Sequence, residues 1–143
     1  MTRAKRPGWF IILVCALILW GIAGCAAFSM HLIYGPAMDP AATDWDRAYF
    51  AALPAWFNID YAVAVGAGLI GSIALLARSR LAVLFYLVSL IAVLIQFGYV
   101  FFSTDLLAHK GAGATVPFPV FIIAMAVLQI WVASYARDRN WLS

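Results

Sequence analysis

A few side chains in this sequence could bind a polar solute or pass a proton. They sit where polar groups are costly. His31, Asp60, Gln96 and Tyr99 each interrupt a long apolar run, and Asn58 stands two residues before the acid. An imidazole, a carboxyl, two amides and a phenol together offer donors, acceptors and a titratable site. Such groups inside a membrane-spanning segment face the bundle interior or water, because exposing them to lipid is unfavourable. They do not form a catalytic set. The serines Ser29, Ser72, Ser89 and Ser103 have no histidine and acid arranged around them as a nucleophile requires. There is no glutamate, only one histidine falls within an apolar run, and no His/Cys cluster has ligand spacing. The expectation is a protein that is not an enzyme and carries no metal or other cofactor.

The background explains why these residues matter. Of 143 residues, 66% are hydrophobic and 10% charged, against roughly 25% charged in an ordinary soluble domain. With a mean hydropathy of +0.98, this is the composition of an integral membrane protein. The net charge of +3 does not indicate nucleic-acid binding. Its basic residues flank apolar runs instead of clustering on a polar face. Cys15 and Cys25 lie ten residues apart in the first run, about 15 Å along a helix, too far for a disulfide between them.

Four runs are long enough to cross a bilayer, at about 9–32, 55–77, 81–103 and 117–136. The fold expected is all-α: a four-helix membrane bundle over a single domain, 1–143. Ile22-Ala23-Gly24-Cys25 has the shape of a lipoprotein processing site. The apolar run continues past it through Ala26-Ala27-Phe28, so a retained first helix is expected. The segment 54–80 is the organising stretch, with Gly66, Gly68 and Gly71 in one span. Their G-x-G-x-x-G spacing is that of a dinucleotide loop, but no strand and turn precede it. Small residues there serve close helix contact. In the first long loop, Thr43 followed three residues later by Asp46 reads as a capping box, opening a short helix over about 44–53. Its Trp45, Tyr49 and Phe50 suit the membrane interface.

At 100° per residue, each polar side chain falls on the small-residue face of its own helix. His31 aligns with Ala27 and Gly24, and Asp60 with Ala64, Ala67 and Gly71. Gln96 aligns with Ala92 and Ser89, and Gln129 with Ala133 and Ala136. All should point inward. Arg3, Lys5, Arg6, Arg78, Arg80, Arg137 and Arg139 stand on the side of the termini, against only Arg47 and Lys110 in the two long loops. The positive-inside rule then places both termini in the cytoplasm. His31, Asn58, Asp60, Gln96 and Tyr99 would form one outer polar layer, with Asp60 partnered by His31, Gln96, Tyr99 or water. Gln129 would lie deeper, near the midplane.

The chain resembles a group of small four-helix bacterial inner-membrane proteins that carry the label sugar transporter. The resemblance runs through Leu19-Trp20-Gly21, Pro54-Ala55-Trp56, Gly68-x-x-Gly71 with Leu75-Leu76, Leu84-Phe85-x-x-x-Ser89-Leu90 and the terminal Trp141-Leu142. It implies a bacterial plasma-membrane location and a small-solute, sugar-like transporter component with its pocket on the outer side. The other reading is a non-catalytic accessory subunit of a larger membrane complex. Four spans are few for a solute path, so a homo-oligomer or a larger complex is expected along with the lipid bilayer. Nothing in the chain names the small-molecule ligand.

The charge asymmetry generates a first prediction. A reporter fused after Ser143 should be active only in its cytoplasmic form, and one placed within Gly111–Ala114 only in its exported form. A cytoplasmic signal from the second loop would overturn the topology.

Overall fold

The structure is a computed structural model that describes residues 5–38, 40–104, 106–111, 113 and 116–142. Arg3, counted above in the tail, lies outside the described residues. All regular structure among the described residues is helical. Four helices are long and apolar enough to span a membrane: α1 (Gly8–Ile33), α3 (Ala55–Leu76), α4 (Leu81–Ser103) and α6 (Pro117–Asp138). Each expected span is present to within two residues. Among the described residues the loops hold a 3-10 turn (Gly35–Met38) and two short helices, α2 (Asp44–Ala52) and α5 (Leu106–Lys110). The sequence reading foresaw α2 and treated the segment holding α5 as loop.

The helices pack in chain order: α1 on α3, α3 on α4 and α4 on α6. The α3–α4 seam is the tightest, and its small residues are the reason. A Cβ built on Gly71 would stand 2.7 Å from Cδ1 of Tyr86, and one on Gly68 would stand 3.3 Å from Oγ of Ser89. Polar bonds lock the same seam. The Ser72 hydroxyl donates to the Gly68 carbonyl at 3.2 Å, which leaves Tyr86 to donate to Ser72 Oγ at 2.6 Å. The Ser89 hydroxyl donates to the Ala64 carbonyl at 2.7 Å. On its other face α3 meets α1, where a Cβ on Gly21 would lie 3.0 Å from Cα of Leu69.

At the end bearing the termini, the bundle is closed by aromatic rings and arginines. Phe10 and Trp141 pack at 4.7 Å between centroids, with Trp9 and Tyr135 against them. Arg6 donates to the carbonyl of Leu76 at 2.9 Å and to that of Leu75 at 3.3 Å, at the last turn of α3. Arg78 and Asn140 adopt the left-handed conformation, at φ 65° and 61°. Each ends a spanning helix: Ser79 N–H reaches the Ala74 carbonyl at 2.8 Å, and Trp141 N–H reaches that of Ala136 at 3.0 Å. Arg78 then donates through Nε to the Trp141 carbonyl at 2.9 Å, tying the two helix ends together.

The α3–α4 seam generates the second prediction. Tyr86 is fully buried and held by Ser72, so it cannot retreat from an added methyl. Gly71→Ala should destabilise by about 1–3 kcal/mol. Gly66→Ala, where a Cβ would meet nothing within 4 Å, should be neutral or stabilising by up to about 1 kcal/mol. Thermal unfolding of both variants in one detergent checks the pair. Equal losses would show that the seam is not limiting.

Candidate functional site: an intramembrane cavity under a loop cap

The packing order leaves α1 and α6 without a close backbone contact between them in the half of the bundle away from the termini. Large rings span the gap instead, with Trp20 edge-on to Phe121 at 5.5 Å. Facing residues are small: Ala23, Gly24 and Ala27 on α1, Ala64 and Gly68 on α3, and Ala126 on α6. Between them lies a cavity of about 660 Å³ reaching from Gln129 toward the loops. Its wall is mainly apolar and aromatic, with Phe57, Tyr61, Phe97 and Phe118 among the rings.

The predicted polar residues divide. His31 and Gln96 reach the cavity wall. Asn58 stands behind His31, its Oδ1 3.1 Å from Nε2 of the imidazole. With that oxygen as acceptor, Nε2 carries the proton and Nδ1 is an acceptor. The imidazole is further boxed by Phe50 and Tyr61, at 4.9 and 5.3 Å between centroids. Tyr99 does not join them. It packs edge-on against Trp56 at 5.0 Å and beside Phe57 at 6.1 Å.

Asp60 departs from the expected arrangement. No hydrogen bond links it to His31, Gln96 or Tyr99, and its buried Oδ2 has no protein partner. Helical phase put Asp60 on the correct face, among the buried Ala64, Ala67 and Gly71. Phase gives direction and not distance, and the histidine's donor is taken by Asn58, half a turn away.

Gln129 belongs to the site and was set apart in the sequence only because of its depth. It is 3% exposed and lines the cavity. Gln96 is 9% exposed and lines it too. Neither amide has a hydrogen-bond partner among the described residues. Their amide atoms keep accessible surface, since the one fully buried side-chain polar atom without a partner among the described residues is Asp60 Oδ2, so these two amides on the cavity wall are groups that the protein leaves available. The same inward-phase argument that selected Gln96 applies to Gln129.

A cap made by the two loops closes the far end. Its base is α2, whose N-terminus is held by the foreseen capping box. Thr43 N–H donates to Asp46 Oδ2 at 2.8 Å, and Asp46 N–H donates to Thr43 Oγ1 at 3.3 Å. Lys110 of α5 then reaches the other carboxylate oxygen at 2.7 Å and lies 5.9 Å from the centre of the Trp45 ring. His109 stacks flat on the same tryptophan at 3.9 Å. Tyr49 and Thr104 join hydroxyls at 3.2 Å. Asp46, Tyr49, Phe50 and Leu106 all border the cavity, so this clip is its roof. Five residues are too few for a helix to be stable alone. α5 forms because it docks on α2.

Among the described residues no group of three or more His, Cys, Asp or Glu side chains is placed to hold a metal ion. Compared with protein-family models, with curated proteins and with solved structures, the chain has no match.

The cap generates the third prediction. The Asp46 carboxyl is held at about 2, below its ordinary 3.8, first by the Lys110 ammonium and then by the Thr43 backbone N–H. A depressed carboxyl contributes at and above its ordinary value and loses that contribution as pH falls through the lower one. The clip should therefore persist on acidification to about pH 3 and release toward pH 2. In Lys110→Met the Asp46 titration should move up toward 3.8. Carboxyl-carbon NMR of Asp46 in both proteins reads this directly, and identical titrations would show that Lys110 does not engage it.

Proposed function

We propose that the protein is a small-solute carrier or permease component of a bacterial inner membrane, and that the capped cavity is its binding site. One observation carries the reading: a partly open cavity of about 660 Å³ lined by all four spanning helices. Small-molecule sites run from roughly 300 to 1,000 Å³, and a helix bundle evolved only for packing keeps few voids larger than a water molecule. The basic residues near the termini orient the loop cap outward. Solute then enters from the outer side, past α2 and α5. The buried side chains of Leu17, Leu75, Tyr86 and Val132 fill the bundle between the cavity and the closed aromatic end, so one chain offers half of a path. The other half requires a second copy or a larger membrane partner.

The accessory-subunit reading calls for a filled interior and a stripe of small residues left for a partner. The stripe on α3 is spent within the chain, on Tyr86 and Ser89, and the interior is not filled. Both features favour the carrier.

The fourth prediction tests this. Ile122 borders the cavity and is only partly buried, so Ile122→Trp should fill the void with the fold intact. Native mass spectrometry of protein released gently from its own membrane should show a small molecule bound to the wild type and absent from the variant. Equal spectra, with no bound mass in either, would refute the carrier reading.

A further inference from the structure

The wall of the cavity says what kind of molecule it accepts. A sugar or other polyol carries hydroxyls over most of its surface, and each needs a partner when buried. This wall cannot supply them. Most of it is alkyl and aromatic, and no lysine or arginine borders it. Among the described residues its one carboxylate, Asp46, lies in the cap and is already engaged by Lys110 and Thr43. An anion would find no counter-charge, and a cation would have to displace Lys110. A bare hydrocarbon fits no better, because it would leave two buried amides unpaired.

Those amides are the positive signal. Gln96 and Gln129 are 9% and 3% exposed, border the same void and have no partner among the described residues. Each offers a carbonyl acceptor and two N–H donors. They come from different helices. Counting rise from the ends of α4 and α6 nearest the termini, Gln96 stands about 10 Å further along the bundle than Gln129. The two amides are therefore staggered along the void and not paired across it. His31 adds an acceptor nearer the cap through the ring nitrogen that Asn58 does not use.

We infer that the cavity binds an uncharged, mainly apolar molecule, aromatic or alicyclic in its body, that carries hydroxyl or carbonyl oxygens met by the amides of Gln129 and Gln96. The inference rests on the reading of the cavity as a binding site and adds the ligand class to it. The aromatic wall takes the body by stacking and dispersion. The amides take the oxygens, and being able to donate or accept they suit either a hydroxyl or a carbonyl. Discrimination follows from the same groups. An analogue that lacks the oxygen leaves an amide unpaired, and a charged analogue is not compensated.

The test uses three probes of nearly one shape: naphthalene, 2-naphthol and 2-naphthoate. Binding to full-length protein in lipid nanodiscs is measured by equilibrium dialysis, with empty nanodiscs subtracted to remove partition into lipid. In the wild type, 2-naphthol should saturate at one per chain, about tenfold more tightly than naphthalene, the size of one hydrogen bond to a buried group. The naphthoate should bind weakest. Gln129→Leu and Gln96→Leu remove groups without protein partners, so both should fold. At least one of them should erase the preference for 2-naphthol and leave naphthalene binding unchanged. Ile122→Trp should abolish binding of both neutral probes. If neither neutral probe saturates, the cavity is not a site, and the carrier reading falls with the inference. If naphthalene and 2-naphthol bind equally, if both leucine variants keep the preference, or if the naphthoate binds as well as the naphthol, the ligand class is wrong and the cavity reading stands.

Discussion

Everything in this bundle hangs on how closely α3 and α4 approach. In lipid, helices gain nothing by hiding alkyl side chains from one another, since the surrounding tails are equally apolar. What remains is dispersion at short range and the few polar bonds that short range permits. Gly71 against Tyr86 and Gly68 against Ser89 provide the range. Ser72–Tyr86 and Ser89–Ala64 use it. A methyl on Gly71 would reach into the Tyr86 ring, so this contact sets the spacing of the central pair, and α1 and α6 are added on either side of it.

The cavity follows from that arrangement. When α1 packs on α3 and α6 packs on α4, the outer helices face each other across the width of the central pair. A bundle closes such a gap with large side chains or leaves it open. Here the end bearing the termini is closed by Trp9, Phe10, Tyr135 and Trp141, with Arg6 and Arg78 satisfying carbonyls at the helix ends. The other end is lined by Ala23, Gly24, Ala27 and Ala126 and stays open beneath the cap. One half therefore holds the molecule together while the other leaves room. The division also explains why Trp141 and Leu142 are buried although they follow the last helix. They fill the closed end.

Much of this was legible in the sequence. The four spans come from run length alone, because a bilayer imposes one length on every crossing helix. The capping box of α2 was readable from Thr43 and Asp46, because it is a local bond between residues three apart. The inward faces came from phase, and the burial of Gln96, Gln129, Ala133 and Ala136 agrees with them. What could not be read is pairing between helices. Phase aims Asp60 and His31 at the same interior, yet His31 takes Asn58, and Asp60 Oδ2 has no protein partner. Nor was α5 readable. Five residues carry no periodic signal, and what holds them is the contact of His109 and Lys110 with Trp45 and Asp46, some sixty positions earlier. The cavity was hidden for a different reason: it is made of side chains that are too small, and a sequence shows a small residue without showing whether a neighbour fills the space beside it.

That last point bears on how the two glutamines are to be understood. A polar residue between membrane helices is usually glue, and glue has a partner on the next helix. Ser72, Ser89 and Tyr86 behave in that way: each bonds across the α3–α4 seam or to a nearby carbonyl. Gln96 and Gln129 stand on helices in the same bundle, at comparable burial, and bond to none of the described residues. The difference lies in where they sit. The bonded residues occupy the tight seam, where a partner is within reach. The unbonded ones border the void. Leucine at either position would remove an unpaired amide at no cost in contacts to protein polar groups. Two amides that contribute nothing to packing, placed where packing was left incomplete, are accounted for by a molecule that enters the space and bonds to them.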